Sequence, residues 1–428
     1  MVRFCAQQSP ELPGSRRVSG IRAGDASVTN GGPAGRLEMK MTKHYDVEAV
    51  RKLFPAARKM TYLDSGFQTP MSAPVRQALE TFIDEAYETA GPKSAWIDRM
   101  EATRTKVATL LNAASEDIAF TKNTSESMNI AANALPLKAG DNVLMLHGDH
   151  PNNAYAFLNL AKKGVEVRFV PMTEVVDADS FQPYVDANTK AISMSQVTFH
   201  AGHCFDIESV GRLCKERSLF YVVDIMQGVG VVPIDVKRVG ATFIGAGTHK
   251  GLLVPQGLGL LYWDRSRTDV EPAYLAAISL ARPPADFIAR PDDLELAATA
   301  GRFEIGNFNL PGTHALGAAL DLIASIGVDK VAAHCFDLGD RLIAGLDECG
   351  VALVGPRARA NRAPHIYVAA LPANEWLDYF ASRDVRVSPE RDGVRISFGM
   401  FNTTSDVDRF LELVRARGVV SGRSPKAA

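Results

Sequence analysis

Five short stretches carry side chains able to do chemistry, and each one follows an apolar run. In TKNTSES (121–127), Thr124 and Ser125 open a helical run, with Glu126 in its first turn. A helix start offers unpaired N–H groups and a positive dipole end, and here two hydroxyls as well, a set suited to an anion. The same residues also read as an ordinary N-cap. GDHPNN (148–153) presents His150, and HAGHC (200–204) brings together His200, His203 and Cys204. No second group of ligands stands at zinc spacing, so His200 or His203 reads as pocket lining rather than as a metal ligand. In YVVDIMQGVG (221–230) an acid, Asp224, closes an apolar strand. That placement is costly without a partner, which could be a turn N–H, a metal or a buried cation. Last comes GAGTHKGLL (245–253), where Lys250 reads either as a surface charge or as an amine held for reaction.

The phosphate-loop templates do not account for Lys250. A Walker loop needs Gly before the lysine and Ser or Thr after it, whereas His249 precedes and Gly251 follows. GxGxxG fails because its third glycine position is Lys250 itself, and GVG at 228–230 also lacks the third glycine.

The elements that must position these residues follow from the apolar pattern. Runs at 117–120, 142–148, 166–172, 191–199, 219–225, 241–247 and 258–264 read as strands, separated by helical stretches. Strands apolar on both faces and alternating with helices imply a mostly parallel sheet covered on both sides, a three-layer α/β domain. LGLLYWD (258–264) lies close behind ATFIGAG, which suits an antiparallel member. Helices are expected over 47–59, 73–89 and 96–113, the last with Trp96, Met100, Thr103, Val107 and Leu110/Leu111 on one face. After about Gly312 the texture changes to long amphipathic helices and short strands, a smaller α+β domain. In such sheets ligands bind beyond the carboxyl ends of the strands, and all five stretches lie there.

Composition narrows the function classes. The 428 residues are 46% hydrophobic and 22% charged with a net charge of −2, so no electrostatic case exists for nucleic acid or an anionic membrane. No apolar run reaches the roughly 18 residues of a membrane span. Five cysteines without a CxxC pair suit a reducing, cytoplasmic setting. Residues 1–40 are rich in Gly, Ser, Pro and Arg and read as a disordered extension, with the true start at Met1, Met39 or Met41. Arg16–Arg17 is followed by no apolar region, so it does not read as a signal.

One ligand uses an anion-binding helix start, a histidine, a buried acid and an amine in this order: pyridoxal 5′-phosphate (PLP). Its phosphate takes the helix start, its aldehyde the lysine as a Schiff base, and its pyridine nitrogen the carboxylate. A ring imidazole can stack on the pyridine face.

From about Tyr62 to Arg417 the chain resembles the class V aminotransferases of fold type I, the group containing cysteine desulfurases, selenocysteine lyase and isopenicillin N epimerase. YVVDIMQGVG is similar to the family's VDxxQ stretch, which implies Asp224 on the pyridine nitrogen and Gln227 on the ring oxygen. GTHKG implies Lys250 as the cofactor lysine and His249 near the phosphate. NTSES implies Thr124 and Ser125 on the phosphate, and GDHPNN implies His150 over the ring. RFEIGNFN (302–309) is similar to a turn that reaches the phosphate of a neighbouring subunit, implying Asn307 in a homodimer. VRISFGMFNT (394–403) implies Arg395 on the substrate carboxylate, for which a bidentate guanidinium contact is suited. YLDSGFQTP (62–70) resembles the segment that lines the substrate pocket. The resemblance divides the chain into an N-terminal segment packing on the small domain (41–65), a large PLP-binding domain (66–311), a small C-terminal domain (312–420) and a tail (421–428).

Three departures bear on the reaction. Desulfurases carry a catalytic cysteine on a long loop before the arginine, whereas VSPERDGVR (387–395) is short and has none. Phe199 and His200 stand where an asparagine-bearing stretch is expected, so the side-chain pocket is reshaped. Asn123 replaces a glycine of the phosphate turn, a change that left-handed backbone angles would accommodate. The shared residues serve several reactions of an amino acid at its α-carbon. In each, the freed Lys250 takes the α-proton, its pKa lowered by a cationic pocket. The sequence favours transamination or C–S/β-elimination. Epimerisation of the isopenicillin N epimerase type is the alternative, and a non-catalytic PLP-binding protein is the opposing class.

Overall fold

In a computed structural model of the chain, residues 45–286 and 288–418 are described. The 1–40 extension, its candidate start sites, Arg16–Arg17 and the 421–428 tail lie outside them. The first strand, β1 (Thr61–Tyr62), does not join the main sheet. That sheet has seven strands: β2 (Ile118–Thr121), β3 (Asn142–Leu146), β4 (Glu166–Val170), β5 (Thr189–Ser195), β6 (Phe220–Asp224), β7 (Phe243–Gly247) and β8 (Gly259–Trp263). Their order is β2-β8-β7-β6-β5-β3-β4. Only β8 runs against its neighbours, pairing antiparallel with both β7 and β2. The short connection after Gly247 leaves no room for a crossover helix, so the chain reverses, as the closeness of the two runs suggested.

Every residue of β3, β6, β7 and β8 is buried, as covering on both faces requires. The expectation fails at the edge strand β4, where Glu166 and Phe169 are exposed, although β2 at the opposite edge is buried throughout. The covering helices are amphipathic in the ordinary way. Ile207–Glu216 buries Ile207, Val210, Leu213 and Cys214, and its N-cap Asp206 accepts the Ser209 N–H at 3.0 Å. Lys93–Leu111 buries Trp96, Met100, Thr103, Val107 and Leu111. The same face also buries Arg104, which apolar spacing did not predict. Arg104 donates to Glu304 (2.6 Å), to Glu101 (2.8 Å) and to the Ile118 carbonyl (2.8 Å). Glu304 also accepts the Phe120 N–H at 2.7 Å, so this acid ties the 300–304 turn to β2. The expected helix at 47–59 is two helices, Val47–Lys52 and Pro55–Lys59, broken where Pro55 starts the second.

The C-terminal part carries β9 (Leu353–Val354), β10 (Ile366–Ala369), β11 (Val385–Arg386), β12 (Ser388–Glu390) and β13 (Gly393–Ser397). Four of these form an antiparallel sheet in the order β12-β13-β10-β9. β11 instead pairs parallel with β1, and Arg51 donates to Asp406 at 2.6 Å, so the segment before Asp64 is fastened to the C-terminal part. This pairing delivers residues 64–70 to the ends of β6 and β7.

Candidate active site

The strands of the large sheet end on a cavity of about 610 Å³. Asp224, the last residue of β6, lines it and is 5% exposed. Its carboxylate accepts from the Met226 N–H at 2.8 Å. Burial pushes its pKa up to about 7, against the pull of that N–H, with Asp149 adding to the rise and Lys250 opposing it. Lys250 follows β7. Thr69 holds the backbone on both sides of it, its N–H on the His249 carbonyl (3.0 Å) and its hydroxyl on the Lys250 carbonyl (2.8 Å). The turn closes with the Leu253 N–H on the Lys250 carbonyl, and Leu253 is in the left-handed region at φ 64°. A branched side chain there is strained, and such strain gathers at functional sites. Burial lowers the Lys250 amine to about 8, helped by the positive charge of Arg395. His249 is lowered to about 4 by burial and then by Lys250.

Thr124 opens the helix Thr124–Ala134 and lines the cavity. Asn123 is the N-cap, accepting the Glu126 N–H at 2.9 Å with an extended backbone (φ −173°). The left-handed angle expected of Asn123 is therefore not used; the residue works as a cap. The N–H groups of Thr124 and Ser125 have no intrahelical acceptor. Glu126, an acid that would repel an anion there, is turned back onto the Lys122 N–H at 2.5 Å. Gly247 leaves the approach open: a Cβ there would lie 3.0 Å from Thr124 Oγ1.

His150 is the N-cap of helix Pro151–Leu158, its Nδ1 accepting the Asn152 N–H at 3.1 Å. Its ring and that of Phe199 meet at near right angles, centroids 5.0 Å apart and planes at 82°. Burial and then Lys250 lower its pKa, which favours the neutral ring. Gln227 donates to the Gly66 carbonyl at 3.2 Å, while its Oε1 is buried without a partner. Arg395 is buried on β13. It donates to the Phe199 carbonyl (3.1 Å) and to Glu390 (2.9 Å), and it faces Asp64 at 3.7 Å.

The cavity thus gathers Thr124, His150, Asp224, Gln227, His249, Lys250 and Arg395. Three sequence-predicted residues do not line it. Ser125 is half-buried in the helix start, Asn307 is exposed, and His200 is buried behind Glu390 with its ring between Glu390 and Asp392. Sequence reasoning placed the 62–70 segment at the pocket without singling out Asp64, and it missed Asp149, Ser388 and Glu390. Asp149 accepts from the backbone and hydroxyl of Ser195 (2.9 and 2.5 Å) and from the His150 N–H (2.6 Å), joining the ends of β3 and β5. Its signal was available: an acid directly before a His-Pro helix start. Ser388 donates to Asp64, a contact between residues far apart in sequence that no local pattern marks.

Comparison with known proteins follows the same lines. The aminotransferase class-V family matches residues 61–410. An uncharacterized aminotransferase of Schizosaccharomyces pombe is 32% identical over 88% of this chain and 96% of its own length. A probable cysteine desulfurase of Methanothermobacter thermautotrophicus is 32% identical over 69% of this chain and 74% of its own. The apo structure of a cysteine desulfurase from Thermococcus onnurineus NA1 superposes with a TM-score of 0.79 at 24% identity, covering 88% of this chain and 99% of that one. The chain belongs to the aminotransferase class-V family. It is a PLP-dependent enzyme of fold type I. The site fits that cofactor on its own terms: Gln227 Oε1 is a buried acceptor without a donor, and the enclosed Asp224 has a single protein donor for two oxygens.

Proposed function

We propose that the enzyme acts at the α-carbon of an amino acid, by amino transfer or by C–S/β-elimination, with Lys250 as the residue that carries PLP and moves the proton. The observation that carries this reading is one cavity holding the Lys250 amine, the enclosed Asp224 carboxylate, the His150 ring and the Arg395 guanidinium. When bound, PLP supplies an electron sink for negative charge at the α-carbon. Asp224 would hold the pyridine nitrogen in its protonated form, Gln227 would meet the ring oxygen, and His150 would lie against the ring. Thr124 and His249, which line the cavity, would hold the phosphate at the positive helix end, with the Ser125 N–H of the same helix start as a further donor. Lys250, brought down to about 8 by burial, is a usable base near neutral pH. Arg395 orients the substrate carboxylate.

Relatives named as cysteine desulfurases support the elimination branch, and the relative named as an aminotransferase supports the other. No cysteine lines the cavity among the described residues, which supports a reaction without a protein thiol. Asn307, exposed beside an exposed Ile305, suits a homodimer in which it reaches the partner's cofactor. No described helix is long and apolar enough to cross a membrane, and a cytoplasmic setting agrees with four free cysteines among the described residues.

The test is a product screen of the purified enzyme with amino acids, with and without keto-acid acceptors. Acceptor-dependent formation of a new amino acid assigns transfer. Acceptor-independent pyruvate, with ammonia or sulfide, assigns elimination. A cofactor that stays spectrally inert to every amine sinks both.

A further inference from the structure

The hairpin that carries Arg395 also forces an acid onto it. β12 and β13 pair with Ser388 opposite Arg395 and Glu390 opposite Gly393, leaving Arg391 and Asp392 as a two-residue turn. Strand alternation puts Ser388, Glu390 and Arg395 on one face, where long side chains meet diagonally. Glu390 Oε1 accepts from Arg395 Nη1 at 2.9 Å. That nitrogen also donates to the Phe199 carbonyl. Nε is buried without a partner, and Nη2 faces the Asp64 carboxylate at 3.7 Å. One of the two terminal nitrogens that a substrate carboxylate would grip is therefore already engaged by the protein's own acid, and the other faces Asp64. Glu390 lines the cavity, and its second oxygen lies 3.3 Å from His200 Nδ1. His200 is fixed from behind, its Nε2 2.7 Å from Asp392 and 3.3 Å from Arg391 Nε. Glu390 thus bridges Arg395 and His200, and its contact with His200 would remain if it gave up Arg395.

We propose that Glu390 is a specificity-determining residue that competes with the substrate carboxylate for Arg395, so that the pocket also admits amines with no carboxylate beside the reacting carbon. The inference rests on the reading of Arg395 as the carboxylate seat. An arriving carboxylate takes Arg395, and Glu390 keeps only its contact with His200, because two anions on one guanidinium edge repel at contact distance. With an amine that brings no carboxylate, Glu390 stays and neutralises a buried cation that would otherwise be left unpaired.

The test uses the holoenzyme and two probes, propionate by calorimetry and n-butylamine by the cofactor absorbance band. Glu390→Gln should bind propionate at least about tenfold tighter and n-butylamine no tighter. His200→Ala, which removes that remaining contact, should weaken propionate binding, and Arg395→Ala should abolish it. Should Glu390→Gln melt below the assay temperature, Glu390→Asp, one methylene short of Arg395, should shift propionate in the same direction. Unchanged or weaker propionate binding in the Glu390 variant, with binding still abolished in Arg395→Ala, overturns the inference alone. So does an equal gain for both probes. Propionate binding that survives Arg395→Ala removes the carboxylate seat itself and with it the reading on which the inference rests.

Discussion

Asp224 and Glu390 are both carboxylates on the wall of one cavity, and they are held in opposite ways. Asp224 ends a buried strand, has one N–H donor and faces no cation at ion-pair distance among the described residues. Glu390 sits on a tight hairpin, between the guanidinium of Arg395 and the ring of His200. The difference separates two ends of the site. Around Asp224 and Lys250 no ion pair forms among the described residues, whereas the Arg395 guanidinium has Glu390 on Nη1 and faces Asp64, with only its buried Nε unpartnered. On the proposed reading, the cofactor would complete the first end and a substrate carboxylate would have to compete at the second. Phe199 joins the two, its ring against His150 and its carbonyl on Arg395.

This contrast can be broken by substitution. Lys250→Ala has the largest expected effect: turnover falls by about 10⁴ or more, because the base and the cofactor attachment are lost together. Residual activity within tenfold of wild type would return the lysine to a structural role. Asp224→Asn keeps the shape of the floor but removes its charge. The expected loss in kcat is about 10²- to 10³-fold, with KM for the amino acid little changed. A change in KM alone would place Asp224 at the substrate end instead. Arg395→Ala should do the reverse, raising KM for α-carboxylate substrates by about 10- to 100-fold while the cofactor absorbance band stays in place. Loss of the band would show that the two ends are not separable.

The smallest expected effect is on pH dependence. The Lys250 amine is lowered to about 8, so it is protonated below that pH and neutral above it. Capture of PLP by the apoprotein should therefore speed up by about tenfold between pH 7 and 9 and then level off. Arg395 helps to lower this amine, so Arg395→Ala should move the curve to higher pH. A curve that does not move would mean the two ends are electrostatically independent. For folding the sign is the same: between about 8 and the ordinary lysine range the unfolded chain binds more protons, so the apoprotein gains stability as pH rises through that window.

That the residues proposed for the cofactor share one cavity was legible in the sequence; most of the contacts around Arg395 were not. Thr124, His150, Asp224 and Lys250 each follow an apolar strand, and a parallel sheet brings strand ends to one edge, so chain order alone grouped them. Asp64 meets Ser388 and Arg395 only because β1 pairs with β11, a contact between chain ends that leaves no periodic trace. The Glu390–Arg395 pair was within reach, since ERDG between two short apolar runs is a hairpin signal. The seven-strand sheet followed from runs buried on both faces, and β4 departed from it with Glu166 and Phe169 exposed, while β2 at the other edge did not. Arg104 stayed hidden because a cation on an apolar helix face is invisible to hydrophobic spacing until its acid, Glu304, is placed beside it.

The central claim is that Lys250 is the residue to which the cofactor is joined. Borohydride reduction of the PLP-loaded enzyme, followed by proteolysis and peptide mass analysis, tests it most directly. The expected result is a single pyridoxyl-phosphate mass addition on the peptide containing Lys250, and none in Lys250→Ala. A stable addition on another lysine, or one that persists in Lys250→Ala, would contradict the account.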